Sequence, residues 1–365
     1  MGFNTGIIGL PNAGKSTIFN ALTGAAAQTA GYPFTTIDPN NGVVAVTDER
    51  LLEIAKITNP KKVTPASMEI VDVAGLVKGA NKGEGLGNQF LGHIRNLTTT
   101  IHVVRCFRDE NVAHPEGDID PKRDIEIVET ELILADLAVV ERRIDKIKKV
   151  AQSGDKDARE SLKVFESVKA ILDSANPAIN FLPEKDLEKS AFYEMNLITA
   201  KPALFVANVD EGSLPDGNDY SREVQKVAVD KKATAVVISG KFEEELLTLN
   251  PDERDEYLKS TGLTETGLVQ IIKAGYNLLG LITFYTAVGP ELRAWAIPSG
   301  TAICKAAGKI HTDMERGFIK AEVINFSHLK NIGSEEKAKD LGKIKIEGKD
   351  YIVEDGDIIK IKFNI

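Results

Sequence analysis

The sequence predicts an α/β protein: a parallel β-sheet covered by helices, interrupted by an inserted antiparallel helical hairpin and followed by a small mixed β domain. Three observations support this fold class. Short apolar segments alternate with helical segments over residues 1–125. Apolar residues then recur at alternating intervals of four and three residues, and strand patterns return after residue 280. At 365 residues the chain exceeds the roughly 100–200 residues of one domain, so we expect two or three.

The first predicted domain comprises residues 1–125 and 200–278. A helix is expected over residues 16–22, directly after the first strand. The segment between the two parts has a helical pattern, which makes it an insertion into the sheet domain. The predicted strands of this domain cover residues 5–9, 68–73, 101–107, 203–208 and 233–239.

The insertion, residues 126–199, carries two apolar helical faces. The first face consists of Ile133, Leu137, Val140, Ile144 and Ile147. The second face consists of Leu162, Phe165, Val168 and Leu172. Ser153-Gly154-Asp155 separates them, which predicts an antiparallel hairpin packed as a coiled coil. An ordinary pair of helices that cover the sheet is the alternative.

Residues 279–365 form the third predicted unit, a mixed β domain with one helix. Pro298-Ser299-Gly300 predicts a turn, and Thr301 is expected to cap the helix that follows it. Asp355-Gly356 predicts a hairpin. The expected later strands of this unit cover residues 321–326, 344–346, 351–353 and 358–363.

Composition restricts the compartment and the class of partner. Lys and Arg number 45 against 54 Asp and Glu, so the net charge of −9 argues against non-specific coating of nucleic acid. The two cysteines, Cys106 and Cys304, are expected to be buried free thiols of a reducing compartment. Neither a signal peptide nor an apolar run of about 20 residues is present. We expect a cytoplasmic monomer without a membrane partner.

The strongest motif is Gly9-x4-Gly14-Lys15-Ser16, which follows an apolar strand and precedes a helix. Glycines at these positions let backbone N–H groups face phosphates at a helix N-terminus. Lys15 is expected to neutralise the β and γ phosphates, and the Ser16 hydroxyl to bind Mg²⁺. The predicted nucleotide contacts of this segment are Gly9, Asn12, Ala13, Gly14, Lys15, Ser16 and Thr17.

Two further segments have the spacing of nucleotide switches. Thr36 lies in a loop rich in Gly and Pro and is the expected second hydroxyl ligand of Mg²⁺. Asp72, at the end of a strand, can hold a magnesium-bound water, and the N–H of Gly75 can meet the γ-phosphate. We therefore assign Ser16, Thr36 and Asp72 to the metal and Gly75 to catalysis.

The sequence leaves the activation of water open. Leu76 occupies the position at which Ras-type enzymes carry a Gln that orients the attacking water, and a leucine cannot do so. Another side chain, a partner or a bound cation must complete the site. His114, in a polar loop, is the candidate, although a solvated loop histidine is the alternative. His102 is predicted to be a core residue, and His93 to belong to the helix after the second switch.

The segment Asn208-Val209-Asp210-Glu211 stands where a GTPase carries Asn-Lys-x-Asp. Glu211 is one methylene longer than the aspartate that reads guanine, and Val209 replaces the stacking lysine. An unpaired guanine donor would cost about 1–3 kcal/mol, which makes adenine admissible. We predict ATP as the nucleotide, with GTP still open. Asn208, Val209, Glu211 and Ser239 are the predicted contacts to the base.

These motifs together resemble those of the YchF or Obg-like ATPase family, a TRAFAC-class group of P-loop NTPases, over essentially the whole chain. The nucleotide segments that carry the similarity are residues 9–16, 32–40, 72–75, 81–90 and 208–211. The tail resembles that family's TGS domain, a ubiquitin-like β-grasp. The matching tail segments are residues 293–298, 307–313 and 348–353.

The resemblance implies an Obg-type G domain that prefers ATP, hydrolyses it slowly and associates with the ribosome. It implies that Leu76 is the family's hydrophobic replacement and that Asn12 helps to hold K⁺ near the phosphates. A contact with tRNA or rRNA would then involve the helical and TGS domains. The candidate basic surface is Lys305, Lys309, His311, Arg316 and Lys320, with an ordinary solvated face as the alternative. A guanine-specific GTPase and an interaction scaffold with incidental turnover remain as alternatives.

Overall fold

The computed structural model describes residues 3–29, 41–72, 92 and 94–364. Thr36, Gly75, Leu76 and His93 lie outside the described residues. The described strands are β1 (Asn4–Ile8), β2 (Asn41–Ala45), β3 (Lys62–Thr64), β4 (Ser67–Asp72), β5 (Thr99–Arg105), β6 (Ala203–Asn208), β7 (Thr234–Ile238), β8 (Leu281–Val288), β9 (Glu291–Pro298), β10 (Phe318–Asn325), β11 (Lys345–Glu347) and β12 (Asp357–Phe363).

The α-helices with assigned bounds follow the same chain order. They are α1 (Lys15–Thr29), α2 (Glu49–Thr58), α3 (Pro121–Gln152), α4 (Lys156–Asp173), α5 (Asp186–Glu194), α6 (Asp219–Asp230), α7 (Gly240–Thr248), α8 (Pro251–Ser260), α9 (Gly267–Leu278), α10 (Ile303–Ile310), α11 (Thr312–Arg316), α12 (Phe326–Ile332) and α13 (Glu335–Asp340).

The first sheet has the order β2-β4-β1-β5-β6-β7. All its strands are parallel except β2, which runs antiparallel to β4. Residues on one face, including Ile7 and Val103, pack against α1 and α9, and those on the other, including Val104 and Phe205, pack against α3 and α6. Because both faces are covered, the strands are continuous apolar runs. The predicted parallel sheet is confirmed, and the edge strand β2 is an addition to it.

The helical hairpin is formed by α3 and α4, which pack side by side. The predicted face of α3 is confirmed, since Ile133, Val140 and their neighbours join Phe165 and Val168 of α4 in one apolar cluster. Helix α3 starts at Pro121, where the Asp120 carboxylate accepts a hydrogen bond from the backbone N–H of Arg123. The predicted boundary at residue 126 therefore falls inside α3, whose first turns pack on the sheet domain.

The second sheet has the order β11-β10-β12-β8-β9-β3, and α10 packs against it through Ile303 and Ala306. Strand β12 runs antiparallel to β10 and parallel to β8. This mixed sheet with a covering helix agrees with the predicted β-grasp unit. The hairpin predicted at Asp355-Gly356 is wrong, because residues 351–353 contribute only an isolated bridge between Ile352 and Ala302.

The cap predicted at Thr301 is also wrong. Ala302 occupies the N-cap position of α10 and provides no side-chain hydrogen bond. The Thr301 hydroxyl instead donates to the carbonyl of Pro298, inside the preceding turn. A threonine that closes its own turn is no longer available to the helix, since side-chain bonds to the local backbone compete with capping.

The third unit is joined to the first by a strand. Lys62, Val63 and Thr64 of β3 pair in parallel with residues 291–293 of β9, so the first domain supplies an edge of the second sheet. Apolar residues of α2, β8 and β9 share one cluster with the first sheet. Arg50 adds an ionic link, because its guanidinium contacts Asp355 at 2.6 Å and Asp48 at 3.0 Å.

The structure bears on two predictions from composition, those on membrane-spanning helices and on the cysteines. Across the described residues no helix is both long and apolar enough to cross a bilayer. Cys106 is buried and Cys304 is half-buried, and both are free. Burial raises the pKa of the Cys106 thiol far above its usual range, which makes it unreactive.

Candidate functional site

The phosphate-binding segment lies between β1 and α1, at the carboxyl edge of the parallel sheet. Gly9 has φ of +149°, and a Cβ there would lie 2.4 Å from the carbonyl oxygen of Val103. Gly14 has φ of +91°, and its Cβ would lie 2.2 Å from Nδ2 of Asn208. Both positions therefore require glycine for conformation and for space. The turn predicted from the motif is the one that the backbone forms.

Lys15 is held in a partly dehydrated position. Its side chain is buried, and Nζ donates to the carbonyl oxygen of Leu10 at 2.7 Å. Burial lowers the pKa of Lys15 to about 8, and the charge of Asp72 opposes that shift. A bound polyphosphate would restore the stability of the ammonium form. The geometry thus presents a cation to the inside of the phosphate-binding turn.

Ser16 and Asp72 meet beside this turn. The Ser16 hydroxyl donates to Oδ2 of Asp72 at 3.3 Å. Oδ1 of Asp72 is buried and has no hydrogen-bond partner within the described residues. A buried carboxylate oxygen without a donor is costly unless a cation or water meets it. Hydroxyl and carboxylate oxygens are ligands that Mg²⁺ accepts, so this pair fits the predicted metal.

Asn208 connects the phosphate-binding turn to the end of the sheet. Its Nδ2 donates to the carbonyl of Ala13 at 3.0 Å, and its Oδ1 accepts from the backbone N–H of Gly240 at 2.9 Å. The side chain is 4% exposed. It fixes Ala13 and the start of α7 relative to β6. Thr17 approaches the same point, because its methyl lies 3.1 Å from an ideal Cβ on Gly240.

The other predicted base contacts occupy different environments. The Val209 side chain lies in the apolar cluster under α6 and is 2% exposed. Ser239 is buried at the N-cap of α7, where its hydroxyl accepts from the backbone N–H of Phe242. Asp210 accepts a hydrogen bond from Ser213. Glu211 accepts one from the hydroxyl of Tyr257, a contact that the sequence did not predict.

Asn12, in the phosphate-binding turn, bonds to the loop between β5 and α3 that carries His114. Asn12 has φ of +63°, and its Nδ2 donates to the carbonyl of Ala113 at 2.9 Å. The side chain of His114 is 4% exposed, with Nε2 at 2.8 Å from Asp124 of α3 and Nδ1 accepting from the backbone N–H of Glu116. Both ring nitrogens therefore have hydrogen-bond partners, and the ring links the loop to α3.

His102 lies in the core, as predicted. Its ring packs at 5.4 Å from that of Phe205, and burial lowers its pKa to about 3. It borders a cavity of about 480 Å³ that also reaches Thr100, Lys201 and Lys231. Thr100 stands near the start of β5, at the edge of the sheet opposite the phosphate-binding turn, so this cavity is separate from the nucleotide site.

Comparison with known proteins decides the family. The proteins named "Ribosome-binding ATPase YchF" from Escherichia coli and Bacillus subtilis are 47% and 45% identical to this chain, with 100% of each chain covered. The solved structure of the Schizosaccharomyces pombe YchF GTPase superposes with a TM-score of 0.87 at 36% identity, covering 99% of this chain and 97% of that one. The chain belongs to the YchF family.

Two family models match separate parts of this YchF-family chain. One, described as a 50S ribosome-binding GTPase, matches residues 4–140. The other, YchF-GTPase_C, described as a protein of unknown function, matches residues 281–364. The first match contains the phosphate-binding turn and Asp72. The second covers the strands from β8 to β12 of the mixed sheet.

Of the predicted site residues, the structure brings together those of the phosphate-binding segment, Asp72 and Asn208. Thr36 and Gly75 lie outside the described residues. Tyr257 was missed because it lies on α8, 46 positions beyond Glu211, and carries no motif. The only available signal was the tyrosine itself within an acidic helix. In the YchF-family chain, long-range contacts of this kind follow from the fold rather than from a local pattern.

Proposed function

We propose that this chain binds and slowly hydrolyses ATP to ADP and phosphate, and that its nucleotide state controls association with the ribosome. The observation that carries the proposal is the cluster of Lys15, Ser16 and Asp72 at the phosphate-binding turn. The names of the full-length relatives, which are ribosome-binding ATPases, support the nucleotide and the partner.

Each residue of the site has a proposed role. Lys15 neutralises the β and γ phosphates, the backbone N–H groups from Gly9 to Thr17 cradle them, and Gly75 meets the γ-phosphate. Ser16, Thr36 and Asp72 would hold Mg²⁺, directly or through water. When bound, Mg²⁺ supplies positive charge that offsets the charge developing on the phosphoryl oxygens.

We propose that a bound cation, and not His114, completes the catalytic site. The side chain of His114 is paired with Asp124, so its proposed part is to position the loop against which Asn12 bonds. Asn12 donates through its nitrogen to Ala113, which leaves its side-chain oxygen, an acceptor, as the proposed ligand of K⁺. Replacing K⁺ by Na⁺ is then expected to lower turnover, and equal rates would remove K⁺ from the mechanism.

Adenine is the proposed base, and ATP the proposed nucleotide, for two reasons. Val209 is buried where guanine-specific proteins present a lysine, and the carboxylate of Glu211 is engaged by Tyr257. The Schizosaccharomyces pombe relative is named a GTPase, which keeps GTP as the second candidate. A guanine-specific site would need both oxygens of one carboxylate for the two guanine donors.

The proposed RNA-facing surface contains fewer residues than the sequence predicted. Lys305 pairs with Glu315, and His311 caps α11, so neither is free to meet phosphate. Lys309, Arg316 and Lys320 are exposed on the same unit, and within the described residues no ion pair engages them. These three side chains form the proposed contact with rRNA or tRNA, since phosphate contacts supply most of the affinity for nucleic acid.

The function is tested by ATP turnover and ribosome co-sedimentation measured on the same preparations. Lys15→Ala is expected to abolish turnover, and Lys309→Glu with Arg316→Glu to reduce co-sedimentation while intrinsic turnover stays unchanged. Lys349→Glu, on the same unit but outside the proposed surface, is the matched control. Turnover that survives Lys15→Ala would contradict the hydrolase, and unchanged co-sedimentation would remove this surface from the proposal.

A further inference from the structure

Tyr257 connects α8 to the segment proposed to read the base. Its ring packs against Phe242 of α7, with ring centroids 4.9 Å apart. Its hydroxyl contacts Oε1 of Glu211, in the turn that follows β6, and Oε2 of Glu245 on α7 at 3.1 Å. Asn208 anchors the same segment to the phosphate-binding turn three residues earlier. Tyr257 is therefore placed to set the direction of the Glu211 carboxylate.

Tyr257, Glu211 and Glu245 have only one hydrogen-bond donor among their side chains. A tyrosine hydroxyl has one proton to donate, and an ionised carboxylate can only accept. Glu211 and Glu245 thus compete for one donor. The hydrogen bond to Glu211, with burial and the bond to Glu245, raises the pKa of Tyr257 well above its usual range, so the phenol keeps that proton. The closer contact is the one with Glu211.

Guanine and adenine make different demands on a carboxylate at this place. Guanine presents two adjacent donors, N1–H and the N2 amino group, and their recognition needs both oxygens of one carboxylate in the plane of the base. Adenine presents one amino donor beside an acceptor nitrogen. The hydroxyl of Tyr257 on Oε1 fixes the plane of the Glu211 carboxylate, so its two oxygens cannot both turn toward the two guanine donors, whereas one oxygen can still meet the single adenine donor. The guanine donor left without a partner carries a desolvation cost.

We propose that Tyr257 is a positioning residue for base selectivity, which holds Glu211 so that it cannot accept both guanine donors. This inference rests on the proposed function, because it takes Asn208 to Glu211 as the base-reading segment. It assigns selectivity to a side chain outside the nucleotide motifs. Glu245 modulates the contact, since it draws on the same phenol proton.

The test is the ratio of ATP to GTP affinity, measured by calorimetry on the full-length protein with Mg²⁺. Tyr257→Phe keeps the ring that packs on Phe242 and removes only the hydroxyl. The ratio is expected to shift toward GTP by roughly tenfold, which is the usual weight of one hydrogen bond to a charged group. Glu245→Ala removes the competing acceptor, so it is expected to leave the ratio unchanged or move it toward ATP, and a shift toward GTP would count against the role of Tyr257.

Two controls separate positioning from a general loss of structure. Tyr193→Phe removes a hydroxyl from α5, where the side chain is 69% exposed, and is expected to leave both affinities unchanged. In a Glu211→Gln background, Tyr257→Phe is expected to have no further effect on the ratio, since it acts through that carboxylate. An effect of the same size in both backgrounds would overturn the inference.

The failure of this inference is distinguishable from that of the proposed function. If the unmodified protein prefers ATP and Tyr257→Phe leaves the ratio unchanged, or lowers both affinities equally, the role of Tyr257 is overturned and the ATPase stands. If the unmodified protein prefers GTP and the variant shifts further toward GTP, the proposed base is wrong and the role of Tyr257 is retained.

Discussion

Lys15 shows at the residue scale how one side chain serves both stability and binding. Its ammonium is buried and bonded to a backbone carbonyl, with its pKa lowered to about 8. Because the folded-state pKa lies below the unfolded value, the unfolded chain binds more protons between pH 8 and 10.5, and stability rises with pH across that window. Bound phosphates reverse this preference, since they favour the charged form.

A pH dependence of nucleotide binding follows from that reversal. Above pH 8 the free protein must take up a proton when it binds ATP, so affinity is expected to fall by up to about tenfold per pH unit. Below that pH, Lys15 is already charged and contributes no slope. Calorimetry at pH 9 in two buffers of different ionisation enthalpy measures the proton uptake. Lys15→Arg is the control, because a guanidinium does not titrate there; uptake by this variant would contradict the assignment.

The motif residues were predictable because each is local in sequence and its chemistry requires one residue type. Gly9, Gly14, Lys15 and Ser16 need only a strand, a turn and a helix N-terminus to reach their places. The pairing of His114 with Asp124 of α3 was not predictable, because the two side chains meet only through the path of the loop that joins β5 to α3. The same limit explains why the engagement of Glu211 became visible only in the folded chain.

Helix α3 carries the sheet domain into the helical insertion, and Asp136 marks the junction at the element scale. Its carboxylate is fully buried and accepts from the backbone N–H groups of Ile198 and Thr199 and from Arg95 at 2.8 Å. These bonds tie the point where the chain leaves the insertion to the middle of α3. A buried carboxylate whose donors are all paired makes this junction rigid, whereas an unpaired donor or acceptor here would be costly.

Asp136→Asn is expected to lower the free energy of unfolding by about 3 kcal/mol, because an amide nitrogen would face donors and Arg95 would lose its charge partner. Urea unfolding followed by circular dichroism measures this change. Asp145→Asn, exposed on the same helix, is the matched control and is expected to change stability by less than about 0.5 kcal/mol. Equal effects of the two variants would show that the junction carries no special stability.

Element prediction succeeded where periodicity was strong and failed where the element was short. The apolar run of β6 and the two faces of the hairpin were predictable from spacing. Strand β3 has only three residues, of which Val63 alone is apolar, so no pattern distinguishes it. The Thr301 cap and the hairpin at Asp355-Gly356 were wrong because turn residues were assigned without knowledge of the partner strands.

At the scale of the whole molecule, the first and third units are joined by shared contacts. They share strand pairing between β3 and β9, a continuous apolar cluster and the ionic contacts of Arg50. Lys330 of α12 adds an ion pair with Glu53 of α2 at 2.8 Å. Neither the domain limits nor the charge pattern predicted this connection. The segments that form it are short or polar, and in the sequence alone they resemble exposed surface segments.

We therefore expect the full chain to unfold without a separate early transition for residues 279–365. Arg50→Met is expected to lower stability by about 1–2 kcal/mol; its side chain is 30% exposed, so solvent screens part of the interaction. Differential scanning calorimetry measures both effects, with Arg142→Met on the exposed face of α3 as the control. A first transition in the unmodified protein that belongs to the third unit alone would contradict the shared core.

We propose above all that the phosphate-binding turn of this YchF-family chain serves an ATP-preferring hydrolase. Competitive titration of ATP and GTP against the full-length protein, with Mg²⁺ and K⁺ present, tests it most directly. ATP is expected to bind several-fold more tightly than GTP, and Lys15→Ala to abolish the binding of both. Tighter binding of GTP, or nucleotide binding that survives Lys15→Ala, would contradict the account.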